Sequence, residues 1–223
     1  MKNVKYFFQY LIIMFFFIIF RVIGYKKASN FGESIGKLIG PFFKSKKVIK
    51  QNIQNYNSNL DEESVKNLVK NMWGNYGRIF AEYMHIKDFR NNKLHDHITI
   101  NGIEYLNEIK NKNKPVVFVS AHFSNFELMA MQIEKAGINL GAVYRPLNNI
   151  FLNKNMEKIR KNYICKKQIK KGISGLREIL KIFKNNYSVA MMIDQRVTEG
   201  IKINFFNKPA FTTSIPAQLV KKF

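Results

Sequence analysis

An uninterrupted apolar run from Tyr10 to Phe20, set inside a longer stretch from Tyr6 to Ile23, limits this chain more than any other feature of its sequence. At 1.5 Å per residue, about 18 helical residues reach about 27 Å, close to the hydrocarbon thickness of a bilayer. Such a run can span. Lys2 and Lys5 ahead of it would also suit the basic start of a signal peptide, but Arg21 and the Gly24-Tyr25-Lys26-Lys27 behind it offer no small-x-small cleavage site. Residues 1–27 are therefore read as a membrane anchor, and residues 28–223 as the body. Lys and Arg are far more abundant in that body than ahead of the run, which by the positive-inside rule sets the body on the cytoplasmic side.

The 223 residues suffice for one domain with a sizeable core plus the anchor, and no second enzyme domain is expected. A net charge of +22 calls for anionic partners, even after part of the Lys excess is set down to an AT-rich composition. An anionic membrane surface, nucleic acid and an acidic protein all qualify by charge. A nucleic-acid binder should cluster its basic residues with exposed aromatics or carry a fold signature; the aromatics here fall in the anchor and in buried-looking strands, so no nucleic acid is expected. Cys165 is the only cysteine, which excludes an internal disulfide and a cysteine-rich zinc site. Its basic surroundings could favour a thiolate, but no histidine lies close to it in sequence, and it is read as a half-buried structural residue.

From Phe31 to about His85 the apolar residues recur at helical spacing, as in Val65, Leu68, Val69, Met72 and Trp73, with Asp61-Glu62-Glu63 loading acid at a helix start. Past Ile98 the texture becomes strand and helix in alternation. Strands are expected at 98–102 running into a turn, 116–120, 140–144, 187–193 and 201–205, with helices at 102–111, after 120 to about 135, 149–162 and 174–184. That alternation predicts an α/β fold: a mixed, mostly parallel sheet flanked by helices, with an N-terminal transmembrane helix.

Within this pattern His122 leaves the carboxyl end of the 116–120 strand, where ligands sit in open α/β sheets, and Glu127 follows five residues later. With His122 in the loop and Glu127 in the first helical turn, the carboxylate could reach back to the imidazole, fix its tautomer and stabilise its protonated form. Ser124-Asn-Phe-Glu127 also reads as a capping box, which would account for the Glu without any chemistry. Spacing alone leaves both readings open.

Ala121-His-Phe-Ser-Asn-Phe-Glu127 resembles the His-x4-Glu motif of the late acyltransferases of lipid A biosynthesis, a branch of the lysophospholipid acyltransferase superfamily. Members there read roughly Gly-His-x-Gly-Asn-Trp-Glu, so Ala121, Ser124 and Phe126 replace Gly, Gly and Trp. The resemblance continues in order through Val143-Tyr-Arg-Pro-Leu-Asn-Asn149, with Asn149 where Pro is common, and through Asp194-Gln195. It ends with Ile203-Asn-Phe-Phe-Asn-Lys-Pro-Ala210, with Asn207 for Gly, and Thr212-Thr-Ser-Ile-Pro-Ala217. Asn can take the positive φ that a Gly position requires.

The resemblance implies transfer of a fatty acyl chain from acyl carrier protein to a hydroxyl of a lipid A precursor. It makes His122 the general base, oriented by Glu127, and Arg145, Asn125, Asp194 and Gln195 the substrate-binding residues. Acyl carrier protein and the membrane glycolipid are then its partners and the bacterial inner membrane its place. No cofactor or metal is implied: direct attack on the thioester needs none, nor does it need Cys165. A sibling acting on glycerol phospholipids usually carries Asp where Glu127 stands, and remains the alternative. Family members usually continue past the last motif, which implies truncation at the carboxyl end and keeps an inactive relic as a further alternative.

Overall fold

The computed structural model describes residues 2–42, 46–198 and 200–223. Its contacts divide the chain into two units. One comprises residues 1–11, 86–201 and 211–223, and the other residues 12–85 and 202–210. Helix α1 (Lys2–Ile23) supplies its first residues to the former and the remainder to the latter. It is the one helix, among the described residues, long and apolar enough to cross a membrane, with a mean hydropathy of 2.1.

The 12–85 unit is helical: α2 (Tyr25–Ile39), α3 (Lys46–Tyr56) and α4 (Glu62–Glu82). Asp61 caps α4 by accepting the Ser64 N–H at 2.7 Å, and Glu62 and Glu63 fill its first turn, where the helix dipole favours acid. Helices α2 and α4 meet almost backbone to backbone. A Cβ on Gly77 would lie 2.0 Å from the Gly32 carbonyl oxygen, and one on Gly36 would lie 2.2 Å from that of Trp73. Glu82 is buried in this unit and accepts a hydrogen bond from Ser29 at 2.7 Å.

The other unit holds a four-stranded sheet of β1 (Val117–Ser120), β2 (Leu140–Tyr144), β3 (Lys167–Lys170) and β4 (Ser188–Met192). Strand order is β1-β4-β2-β3, and every pairing is parallel. Helices α5 (Ile86–Arg90), α6 (Ile103–Lys112), α7 (Glu127–Lys135), α8 (Ile150–Ile159), α9 (Ile173–Lys184) and α10 (Ile215–Lys222) flank it. The core joins Ile169 of β3 and Val189 and Met191 of β4 to Ile179, Ile182 and Phe183 of α9 and Leu219 of α10. Strong amphipathy of α9 and the near-continuous apolar run of β4 are what dictate this burial. Cys165 is buried against the Leu140 carbonyl, and burial above all pushes its thiol up to about 11, so it is structural.

The sheet thus has the parallel α/β form expected, with three local differences. Residues 98–102 make no strand: Ile98 is extended, but nothing pairs with it and Thr99 and Ile100 face solvent. Strand β3 was not expected, because Lys-Gln-Ile-Lys offers a single apolar residue, Ile169, to mark it. The segment from Ile201 forms a hairpin, β5 (Ile201–Phe205) and β6 (Lys208–Thr212), around Phe206 and Asn207. Both turn residues have positive φ, 50° and 58°, as a two-residue type I′ turn requires.

Helix propensity alone would favour Gly77→Ala by about 1 kcal/mol. Overpacking against a carbonyl that cannot retreat typically costs about 1–3 kcal/mol, so the substitution should lower stability, read as an earlier midpoint in denaturant unfolding.

Candidate active site

Strands β1 and β4 are neighbours in register, with Ser120 opposite Met192, and the ladder continues through the Ile193 N–H to the Ser120 carbonyl at 2.9 Å. Two residues past each strand end lie His122 and Asp194. Parallel pairing therefore brings side chains 72 positions apart to the same level at the carboxyl edge of the sheet. His122 Nδ1 lies 2.7 Å from Asp194 Oδ1, and the His122 backbone N–H donates to Asp194 Oδ2 at 2.9 Å. The carboxylate grips ring and backbone together, which leaves the imidazole little rotational freedom.

Burial works to raise the Asp194 carboxyl, but hydrogen bonds from the His122 backbone and ring outweigh it and hold the group below the ordinary carboxylate range. An ionised carboxylate only accepts, so the proton between them belongs to Nδ1 and the neutral ring keeps a bare lone pair on Nε2. A depressed folded-state pKa adds stability above the unfolded value of about 3.9, lost as pH falls through the folded value. Phe126 meets the ring edge-on, 4.7 Å between centroids, from the position where the family has Trp. The His122 side chain is partly exposed, with 26% of it accessible.

Glu127 does not touch His122. Its Oε1 accepts from Arg160 Nε at 2.9 Å and Nη2 at 2.6 Å, with both side chains largely buried. The orienting role expected of Glu127 is filled geometrically by Asp194, because Glu127 opens α7 and points to the π turn Arg160–Ile164 that ends α8. The capping-box alternative is not found either. Ser124 sits at φ 39°, in the left-handed region where the family motif has Gly, and its side chain caps nothing; Phe126 holds the N-cap position.

Arg160 also lies over the Tyr144 ring, 5.5 Å from its centroid, while the Tyr144 hydroxyl donates to Glu157. Burial first and that hydrogen bond second push the Tyr144 hydroxyl well above its ordinary value; the same bond, mainly, lowers Glu157. These contacts form a charged layer under the end of β2, next to Arg145. Sequence reasoning passed over Arg160 because it stands in a Lys-rich helix end with nothing local to single it out. A π turn is uncommon and often marks a functional segment, but it has no sequence signature of its own.

The remaining expected residues gather at the same edge of the sheet. Arg145 follows β2, exposed, and no ion pair or hydrogen bond engages its guanidinium among the described residues. Gln195 is exposed beside Asp194, and Asn125 is half-buried in the turn between His122 and α7. Asn149, where the family often has Pro, caps α8 through the N–H groups of Phe151 and Leu152 and donates to the Tyr6 carbonyl at 2.8 Å.

The parallel α/β sheet carries a carboxylate-held histidine at its strand ends, a geometry that general-base chemistry could use. The model of the bacterial lipid A biosynthesis acyltransferase family matches residues 1–223, and the chain belongs to that family. No curated protein compared with it matches.

Breaking a buried ion pair from one side costs about 3–5 kcal/mol. Glu127→Ala should therefore destabilise the fold by about that much, and adding Arg160→Met should recover most of the loss in a double-mutant cycle of denaturant unfolding. Additive losses would mean that the pair is not the interaction holding Glu127.

Proposed function

We propose that the chain transfers an acyl group from an acyl carrier protein thioester to a hydroxyl of a lipid A precursor at the bacterial inner membrane, with His122 as the general base. The observation that carries this reading is the double grip of Asp194 on His122, which directs a bare Nε2 outward at the sheet edge.

In the reaction, Nε2 takes the proton of the acceptor hydroxyl as its oxygen adds to the thioester carbonyl carbon. The protonated ring is stabilised by the Asp194 carboxylate. The tetrahedral oxyanion then collapses, the carbon–sulfur bond breaks, and the ring returns its proton to the departing sulfur. No covalent acyl-enzyme intervenes. Arg145, exposed beside the site, suits either the developing oxyanion or a phosphate on the acceptor. Glu127 supports the site through Arg160 and Tyr144 instead of through the imidazole, which makes it a positioning residue. The Lys surplus suits an acidic carrier and a phosphorylated glycolipid, chiefly by speeding encounter.

The test is incubation of membranes containing the chain with acyl carrier thioesters and a lipid A precursor, followed by mass spectrometry of the glycolipid. Wild type should add one acyl mass, and His122→Ala should lower the rate about 10²- to 10⁴-fold, as loss of a general base does. Asp194→Asn should lose more activity than Glu127→Gln. Full turnover by His122→Ala, or acylation of a glycerol phospholipid in place of the glycolipid, would defeat the proposal.

A further inference from the structure

Arg145 stands on the short turn between β2 and α8, and the groups that hold this turn belong to the same unit. Tyr144, the last residue of β2, is fixed twice: its carbonyl accepts the Lys171 N–H at 2.8 Å, and its hydroxyl donates to Glu157. At the other end Asn149 accepts the N–H groups of Phe151 and Leu152, each at 3.1 Å, and closes the first turn of α8. Between these anchors the Leu147 N–H donates to Asn153 Oδ1 at 2.8 Å. Pro146 locks its own φ and disfavours helical backbone at Arg145 before it.

Asn153 is not free to turn away from the loop. Its Nδ2 donates at 3.0 Å to Glu157 Oε1, one helical turn further along α8, and the same oxygen accepts the Tyr144 hydroxyl. The Tyr144 bond, first of all, keeps the Glu157 carboxyl below its ordinary value, so at neutral pH Glu157 only accepts. Both bonds of Asn153 therefore hold only with its amide oxygen toward Leu147 and its nitrogen toward Glu157. Arg145 is exposed, and its guanidinium has no partner among the described residues. A long side chain without contacts of its own takes its direction from its backbone, and here that backbone is tied before, within and after the turn.

We infer that Asn153 and Glu157 are positioning residues for Arg145: Glu157 sets the Asn153 amide, Asn153 holds the Leu147 N–H, and the turn so held presents the Arg145 guanidinium to a phosphate of the acceptor. Strand β2 stands two strands from β1, about 10 Å across the sheet. That offset from His122 suits an acceptor group away from the reacting hydroxyl better than it suits the oxyanion formed there. A guanidinium can engage a phosphate through two parallel hydrogen bonds, an arrangement that depends on direction and so gains from a fixed turn. Asn153 and Glu157 touch no substrate in this scheme and act only through Arg145.

The inference rests on the proposed function for its acceptor, so its test reads exchange and binding, not turnover. In the full-length chain the Leu147 amide should exchange its hydrogen about tenfold faster in Asn153→Ala than in wild type. Glu157→Ala should speed it too, and Glu157→Gln, whose amide oxygen still accepts from Asn153 and Tyr144, should restore it. Binding of a phosphorylated lipid A precursor in detergent micelles is then titrated in a double-mutant cycle. Asn153→Ala should weaken binding about 3- to 10-fold when Arg145 is present and not at all when Arg145 is already Ala. With the dephosphorylated precursor, Asn153→Ala and wild type should bind alike. An equal loss in both Arg145 backgrounds would mean that Asn153 only supports α8 and would overturn the inference. So would unchanged Leu147 exchange, or a wild type that does not distinguish the phosphorylated precursor. Phosphate-dependent binding without acyl transfer would count against the proposed function alone.

Discussion

Parallel pairing of β1 with β4 is the constraint on which the site depends. Chain order would place β2 beside β1, but β4 is inserted between them, and only that insertion brings Asp194 level with His122. The two residues belong to loops, which carry no rigidity of their own. Their geometry is inherited from the register of the strands beneath them and from the α9 and α10 core that fixes β4. A one-residue slip of β4 would carry Asp194 about 3.3 Å along the sheet and turn it to the other face. The His122–Asp194 pair is therefore a property of the whole sheet, not of a local motif.

This explains what could and could not be read from the sequence. Strands β2 and β5 were legible to the residue and β1 and β4 nearly so, because each is a short apolar or alternating run bounded by turn residues. The place of His122 just past a strand end was legible, because the apolar run 116–120 marks that strand. Its partner was not. Glu127 is five residues away and Asp194 seventy-two, and sequence reasoning favours the near carboxylate; only strand order decides for the far one. Strand β3 and Arg160 were hidden for a plainer reason, as each lies in a lysine-rich stretch where one more polar or basic residue carries no signal.

The two carboxylates expected to act at one place have separate physical tasks. Asp194, partly exposed, orients the imidazole and answers its charge. Glu127, buried, neutralises Arg160, which in turn lies on Tyr144 at the end of β2. Ser124 at φ 39° and the Phe126 ring against His122 show how the loop between them tolerates departures from the family pattern. A small polar residue can adopt the turn that Gly adopts freely, and Phe supplies an aromatic edge where Trp is usual.

The central claim is that Asp194, not Glu127, sets the state of the His122 imidazole. Nitrogen-15 NMR of the His122 ring in wild type, Asp194→Asn and Glu127→Gln tests it directly. The neutral ring should carry its proton on Nδ1 and leave Nε2 bare, and only Asp194→Asn should shift the population toward the other tautomer. A wild-type ring protonated on Nε2, or a response to Glu127→Gln as large as that to Asp194→Asn, would contradict the account.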